Sequence, residues 1–322
     1  MTGERHWSEQ TETTSLWGIR LLMAVFRLGG RVSFFLTLWP VVLVFWLVSG
    51  NARRASNSWL RQVALFARRP APGPFASLRH LWRFADTILD KLLAVSGFFT
   101  QDSLAVEGAE ELLSDKRGAV LVTAHTGCLE LCQMLGEANP DTRRPVTVLV
   151  HTRHAVRFNA MIARLNPRFA VNHIEVTELT PQTAIEMADR IAQGHWIVIV
   201  ADRTPIGSQA VLPVTFMGRP APVAQGPFLL ASLLECRIWS MICTRETRHA
   251  SRARYRLRFT AIGTGEKIGR RERAAALQAL AQRWANALQS ALIESPLDWF
   301  NFFDFWHPAD ICRSAASRDS NS

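Results

Sequence analysis

An uncharged apolar segment near the N-terminus constrains the fold of this chain most. Residues 32–52 carry no charged side chain, and the middle of the segment, from Phe34 to Val48, is almost entirely apolar. A helix of this length rises about 31 Å, which matches a hydrocarbon core of about 30 Å. Pro40 lies near the centre and predicts a kink or a break. The segment therefore predicts a bent membrane span, a re-entrant hairpin in one leaflet or, in a soluble protein, a buried hairpin.

The net charge of +10 on these 322 residues indicates a membrane rather than a nucleic acid as partner. No acidic residue lies between Glu12 and Asp86, so the arginines of this stretch account for the whole net charge and the remainder of the chain is formally neutral. Basic and apolar character together are typical of proteins that bind anionic lipid. The ten arginines are Arg20, Arg27, Arg31, Arg53, Arg54, Arg61, Arg68, Arg69, Arg79 and Arg83.

The residues that flank the apolar segment are basic on both sides, with Arg31 before it and Arg53 and Arg54 after it. The positive-inside rule therefore selects no orientation, and the re-entrant or interfacial interpretation is favoured. The five cysteines show no zinc-type spacing, and their odd number favours a reducing compartment. We expect a protein at the cytoplasmic face of a membrane, with no bound metal.

A stiff stretch from Arg69 to Pro74 predicts a boundary between an anchoring region, residues 1–70, and a second domain, residues 71–310, with a frayed tail at 311–322. In the second domain short apolar runs alternate with amphipathic segments, which predicts an α/β sandwich with a mainly parallel central sheet. The predicted strands are 119–124, 146–150, 173–176, 196–201, 238–243 and 255–262. The predicted helices are 129–137, 155–165, 183–192, 222–234 and 271–293.

The first predicted strand of that domain runs directly into His125. In open α/β sheets ligands bind beyond the carboxyl ends of the strands, so His125 is a candidate site residue. Gly127 allows a sharp turn into the next helix, and free N–H groups near Gly127 and Cys128 could stabilise an oxyanion. Glu130 can meet His125 only if the histidine lies in the turn before the helix. In that arrangement Glu130 would orient the imidazole and raise its basicity.

With further motifs, this His-x4-Glu resembles the late acyltransferases of lipid A biosynthesis (lauroyl and myristoyl acyltransferases). These belong to the lysophospholipid and glycerol-phosphate acyltransferase superfamily. The resemblance spans residues 20–305. Its other motifs are the apolar segment with the basic helix at Asn51, the strand Trp196–Asp202, the stretch Leu212–Ala221 after Gly207, and Gln225-Gly-Pro227. The resemblance implies a bacterial inner-membrane enzyme with that superfamily's sandwich fold.

By the same resemblance, His125 is the general base and Glu130 its orienting partner. The acceptor is a hydroxyl or amine of a lipid or glycolipid, the donor is a thioester of acyl carrier protein or coenzyme A, and no other cofactor is implied. Asp202 is a candidate for ordering the site or the acceptor, and Arg203 for binding an anionic group. Lipid A acyltransferases commonly carry Asp-x-Asp here, whereas this chain lacks the second carboxylate. A further family arginine is assigned to Arg153.

Two alternative functions follow from other residues. His151 and His154 could bind a metal together with His125, which would indicate a metal-dependent hydrolase. The basic N-terminal stretch alone could indicate a membrane-tethered scaffold without enzymatic activity. Two further segments carry predictions of their own. The cluster from Trp299 to Trp306 is either an aromatic wall for a ligand or a helix closing the core, and the basic run 245–258 is a candidate docking surface for an acidic acyl carrier protein.

Overall fold

The computed structural model describes residues 16–134, 144–150, 172–175, 180–203, 210–246 and 253–306. The chain forms two compact units, one of Met1–Leu89 with Phe300–Ser322 and one of Asp90–Trp299. The division lies inside a helix and not at the proline-rich stretch 69–74, where the sequence predicts the boundary. Residues 300–306 belong to the first unit because their rings pack on its helices, as Trp306 does on Trp59. The predicted tail 311–322 lies outside the described residues.

The described part of the first unit is built mainly from helices α1 (Leu16–Val48), α2 (Gly50–Phe66) and the first part of α3 (Ala76–Val95). α1 stays helical through Pro40, and its non-helical residue is Gly30, with φ of 65°. The predicted break at Pro40 and the hairpins derived from it are therefore wrong. A proline removes one helical hydrogen bond without ending this helix, whereas Gly30 adopts a φ that glycine reaches at little cost.

One side of α1 packs on α3, and the other side is exposed. The small core between them contains Val42, Leu78 and Leu81, with Trp46 and Trp82 packed against it. Only 11% of the window Leu28–Val48 is buried, and this stretch is long and apolar enough to cross a membrane by length and composition. The expectation of a buried hairpin in a soluble core is wrong for this segment.

The second unit contains a seven-stranded sheet with strand order β1-β9-β8-β2-β5-β3-β4. All neighbouring strands are parallel except the antiparallel pair of β8 and β9, which confirms the mainly parallel sheet. The strands are β1 (Leu104–Glu107), β2 (Ala119–Thr123), β3 (Val146–Val150), β4 (Asn172–Glu175), β5 (Trp196–Val200), β8 (Arg237–Arg245) and β9 (Tyr255–Gly263). Six of these match predicted strands, and β1 has no predicted counterpart.

A separate antiparallel hairpin, β6 (Val211–Phe216) and β7 (Arg219–Ala224), precedes a short helix, α6 (Gly226–Leu233). The predicted helix start at Pro222 is wrong, because Pro222 pairs with Pro213 in this ribbon, where proline is tolerated at edge positions. α4 (Glu110–Ser114), α5 (Pro181–Ala192) and α7 (Arg273–Glu294) complete the α-helices of the described residues. The predicted helix at 155–165 lies outside those residues.

Candidate active site

His125 and Asp202 meet at the carboxyl ends of two neighbouring strands. β2 and β5 pair in parallel with Thr123 opposite Val200, so the residues two places further along each strand are also opposite each other. The pairing continues beyond the strands, because the Ala201 N–H donates to the Thr123 carbonyl at 3.0 Å. The register of the sheet therefore brings His125 against Asp202, at the edge where ligands bind in such folds.

The Asp202 carboxylate is held by three hydrogen bonds. Its Oδ1 lies 2.8 Å from Nδ1 of His125, and its Oδ2 accepts from the backbone N–H of His125 at 3.0 Å. The indole N–H of Trp299 donates to the same Oδ2 at 2.8 Å. The Asp202 side chain is 1% exposed and that of His125 is 35% exposed, so the aspartate is fixed inside the protein while solvent reaches the imidazole.

Burial lowers the pKa of His125, and the positive charges of Arg203 and Lys91 lower it further; Asp202 opposes them without reversing the shift. For Asp202, burial alone would raise the pKa of the carboxyl. The charge and hydrogen bond of His125, the charge of Arg203 and the hydrogen bond from Trp299 outweigh burial, so the pKa lies below its usual value. The stable state near neutral pH is an ionised Asp202 beside a neutral imidazole, which can accept a proton.

Glu130 lies close in sequence but contacts a different partner. It is in the first turn of a short 3₁₀ helix, Leu129–Met134, and His125 lies in the preceding turn, as predicted. The Glu130 Oε1 accepts from Nζ of Lys91 at 3.0 Å. The carboxylate at Nδ1 of His125 is therefore Asp202 and not Glu130. The register of β2 and β5 places Asp202 beside the imidazole, whereas Glu130 pairs with Lys91 of α3. Burial lowers the pKa of Lys91, but Glu130 and the nearby thiols raise it above its usual value overall.

Cys128 lies inside the motif but is not suited to act as a nucleophile. Its side chain is fully buried, and its thiol lies 3.6 Å from Oε2 of Glu130. Burial raises the pKa of Cys128 well above its usual value, and the negative charge of Glu130 adds to this effect. Because the thiolate is the reactive form, the Cys128 thiol is inert.

Gly127 lies in the tight turn that follows β2, where the turn packs closely against the neighbouring strand β8. Its φ is +47°, and a Cβ placed there would lie 2.5 Å from the backbone oxygen of Cys243. Its N–H donates to the carbonyl of Asp298 at 3.1 Å. The predicted role of this N–H in stabilising an oxyanion is therefore wrong, since the donor is already used. The function of Gly127 in the structure is to let the His125 turn approach β8.

Replacing Gly127 by alanine is expected to lower the free energy of unfolding by about 3 kcal/mol, because it combines an unfavourable φ with a backbone clash. Gly97 is a matched control, since it also has a positive φ (+76°) but has no atom within 4 Å of an added Cβ. Gly97→Ala is expected to cost about 1 kcal/mol. Thermal unfolding in detergent measures both, and equal losses in the two variants would contradict the close approach at Gly127.

Trp299 is the site residue that sequence reasoning missed. It was predicted only as part of an aromatic wall or a helix, but the described residues 299–306 contain no helix, and Trp299 forms a β-bridge with Thr126. Its side chain is 1% exposed, and Phe216 packs on its ring at 5.4 Å. With the Asp298 carbonyl on Gly127, this segment fixes both the His125 turn and the Asp202 carboxylate.

The structure leaves several predicted residues untested. Arg153, His151 and His154 lie outside the described residues. Arg203 follows Asp202 directly, and its positive charge lowers the pKa of His125. Its binding of an anionic group stays a prediction. Within the described ranges, no group of three His, Cys, Asp or Glu side chains could hold a metal ion.

Comparison with known proteins assigns the family. The model of the family described as bacterial lipid A biosynthesis acyltransferase matches residues 80–307, which is well over half of the chain. The chain belongs to the bacterial lipid A biosynthesis acyltransferase family. No curated protein matches it.

The matched region of this lipid A biosynthesis acyltransferase family member contains every residue of the site, from Lys91 to Trp299. Membership confirms the resemblance inferred from the sequence and makes the chain an acyltransferase that acts on a lipid. The two alternative functions, a metal-dependent hydrolase and a scaffold without activity, do not agree with this family.

Proposed function

We propose that this acyltransferase moves an acyl group from a thioester donor to a hydroxyl or amine of a lipid acceptor, with His125 as the general base. The observation that carries the proposal is the 2.8 Å contact between Nδ1 of His125 and the buried, ionised Asp202. This contact fixes the proton on Nδ1, so the lone pair is on Nε2. Nε2 makes no hydrogen bond with the residues that the structure describes and is left for the acceptor.

In the proposed reaction, Nε2 of His125 removes the proton from the acceptor as its oxygen or nitrogen attacks the thioester carbonyl carbon. The C–O or C–N bond forms, and the carbonyl oxygen takes up negative charge. When the tetrahedral intermediate collapses, the C–S bond breaks and the imidazolium returns its proton to the leaving thiolate. Asp202 stabilises the imidazolium between these steps. No acyl-enzyme is required, which agrees with the inert thiol of Cys128.

We assign different tasks to the remaining site residues. Glu130, paired with Lys91 at 3.0 Å, fixes the chain just after the His125 turn instead of contacting the imidazole. Arg203 faces an anionic group of the donor or acceptor, a role that suits the guanidinium.

The donor is proposed to be acyl carrier protein or coenzyme A. In the described part of the docking surface predicted at 245–258, ion pairs engage most of the arginines. Arg256 and Arg258 both pair with Glu107 and Glu294. The side chain of Arg245 is only 8% exposed. Of the arginines described in this run, Arg254 is the most available to a partner, at 54% exposed, although it also lies 3.4 Å from Glu246. The arginines that the structure describes in this run therefore offer an acidic carrier less free positive charge than the sequence indicates.

Replacing Trp299 by phenylalanine is expected to lower kcat about tenfold, because a hydrogen bond to a charged group is lost while the ring is kept. The acidic limb of the pH–rate profile is also expected to move. Without the indole N–H, the carboxylate of Asp202 stabilises the imidazolium more strongly, so the pKa of His125 rises. The acidic limb therefore moves to higher pH. The measurement is kcat/KM between pH 5 and 8.

Trp284→Phe is the matched control for this variant. Trp284 is also fully buried, and its indole N–H donates to the Val122 carbonyl at 3.2 Å instead of to a site carboxylate. This control is expected to lose stability without moving the acidic limb. A shift of the limb in both variants, or in neither, would show that Trp299 has only a structural role.

Lipid mass spectrometry of cells tests the proposed function as a whole. Cells that express the active chain are expected to contain a lipid heavier by one fatty acid minus one water, relative to cells with the His125→Ala chain. The same product should form in isolated membranes that are supplied with an acyl thioester. Separate assays with acyl carrier protein thioesters and with coenzyme A thioesters identify the donor. Identical lipids in both strains, with the protein present in the membrane, would refute the proposal.

A further inference from the structure

The packing of α1 on α3 limits how α1 can meet a bilayer. The two helices run antiparallel, with contacts that follow each other in order along both. Arg31 donates to Asp86 at 3.1 Å, the ring of Phe35 lies 5.3 Å from that of Trp82, and the indole N–H of Trp46 donates to Ser77 at 3.0 Å. These contacts extend over about 22 Å of α1, which is most of the thickness of a hydrocarbon core.

A perpendicular α1 would therefore carry α3 into the hydrocarbon with it, and α3 is not suited to that environment. Arg79 is exposed and Arg83 is partly exposed on the same stretch of α3 that lies beside α1. Charged side chains at the centre of a bilayer are costly and are found where they face protein or water.

Irregular chain lies beside the same stretch of α3. The ring of Phe302 lies 4.8 Å from that of His80, and the ring of Phe300 lies 5.2 Å from that of Phe84. Residues 300–306 form no helix or strand, and irregular backbone is not found in contact with lipid tails. A crossing α1 would thus bring two unfavourable groups into the membrane, the charges of α3 and this backbone.

The exposed face of α1 is instead suited to lie along the membrane surface. It is apolar along most of its length and includes Val32, Leu36, Trp39, Val44 and Val48, with exposed fractions of 46% to 74%.

The C-terminal end of α1 is hydrogen-bonded to the guanidinium of Arg53. Arg53 donates to the carbonyls of Trp46 and Leu47, which would otherwise lack partners at the helix end. A positive charge therefore lies directly at this end of the apolar helix, where it can face lipid phosphates.

α2, which begins directly after α1, supplies charges that complement anionic lipid. Arg54, Arg61 and Leu65 are exposed at spacings of seven and four residues, which places them on one side of the helix. The opposite side, including Trp59 and Val63, is buried. An exposed stripe of arginine beside an apolar residue fits a surface of lipid phosphates.

We infer that α1 does not cross the bilayer but lies in one leaflet, with its exposed apolar face in the acyl-chain boundary and the arginine stripe of α2 on anionic headgroups. The inference rests on the proposed membrane association and is independent of the chemistry at His125. It predicts that the chain before α1 and the chain after it, and therefore both termini, lie on the same side of the membrane.

Protease accessibility of tags tests this arrangement in the full chain. Epitope tags are placed before residue 1 and after residue 322, and sealed inside-out and right-side-out membrane vesicles are treated with protease. Both tags are expected to be cleaved in inside-out vesicles and protected in right-side-out vesicles. Tags on opposite sides would overturn the inference and leave membrane association intact. Recovery of the chain in the soluble fraction would overturn both, and acyl transfer measured in parallel reports separately on the site.

Vesicle flotation tests the arginine stripe. Binding of the full chain to vesicles of phosphatidylcholine with phosphatidylglycerol is compared for the double variants Arg54→Gln/Arg61→Gln and Arg270→Gln/Arg283→Gln. The second pair is also exposed and removes the same charge from the other unit. The first pair is expected to lose at least about tenfold in binding, since each arginine near the surface contributes about a kilocalorie, and the second pair to lose little. Equal losses would overturn the assignment of the stripe.

Discussion

Replacing Asp202 by asparagine is expected to lower the rate of acyl transfer by about a thousandfold without unfolding the protein. Two N–H groups, from the His125 backbone and from Trp299, donate to Oδ2. In the variant the amide oxygen must take this position, which turns the amide NH₂ towards Nδ1 of His125. The imidazole then accepts at Nδ1 and carries its proton on Nε2, where it cannot act as a base.

Glu130→Gln is the comparison that decides which carboxylate serves His125. It keeps the shape of the side chain and removes the ion pair with Lys91, so a smaller loss of activity is expected, with a loss of stability. The measurement is kcat in isolated membranes, together with the amount of folded protein. A full loss in Glu130→Gln, with activity retained in Asp202→Asn, would return the orienting role to Glu130.

Replacing His125 by alanine is expected to reduce acyl transfer at least a thousandfold, since the general base and its neutral lone pair are both removed. Asp202 keeps the indole N–H of Trp299, so the site should remain folded. His195→Ala is the matched control, because His195 lies just before β5 and therefore at the other end of the strand from Asp202. Burial lowers the pKa of His195 as well, so the two histidines share that property and differ in position. Full activity of a folded His125→Ala chain would refute the mechanism.

The parts of the site that could be predicted from the sequence depend on strand ends. Apolar runs predict β2 and β5. The polar residues that follow these runs, His125 and Asp202, are both candidate site residues in the sequence. Their contact could not be predicted, because strand order is set by packing across the sheet and is not written in the spacing along the chain. Glu130 was chosen as the partner from its closeness in sequence, whereas Asp202 is 77 residues away.

The other misses have the same origin. Lys91 and Trp299 reach the site from distant parts of the chain, and no local spacing relates either of them to His125. Local rules also fail at two prolines, because packing outweighs them: Pro40 stays inside a helix, and Pro222 lies in a hairpin. Gly127 was correctly chosen as a turn residue, but its N–H was assigned to a ligand because Asp298 could not be placed beside it.

The contact of Trp299 with Asp202 sets an order of events during synthesis. The ribosome makes α1 first and Trp299 about 250 residues later, which at 5–20 residues per second is a delay on the order of ten seconds or more. Until Trp299 emerges, the Asp202 carboxylate lacks its indole donor and the Gly127 turn lacks its backbone acceptor. If α1 binds lipid as it emerges, the nascent chain reaches the membrane before Trp299 fixes the Asp202 carboxylate, so the site is completed only after the chain is attached.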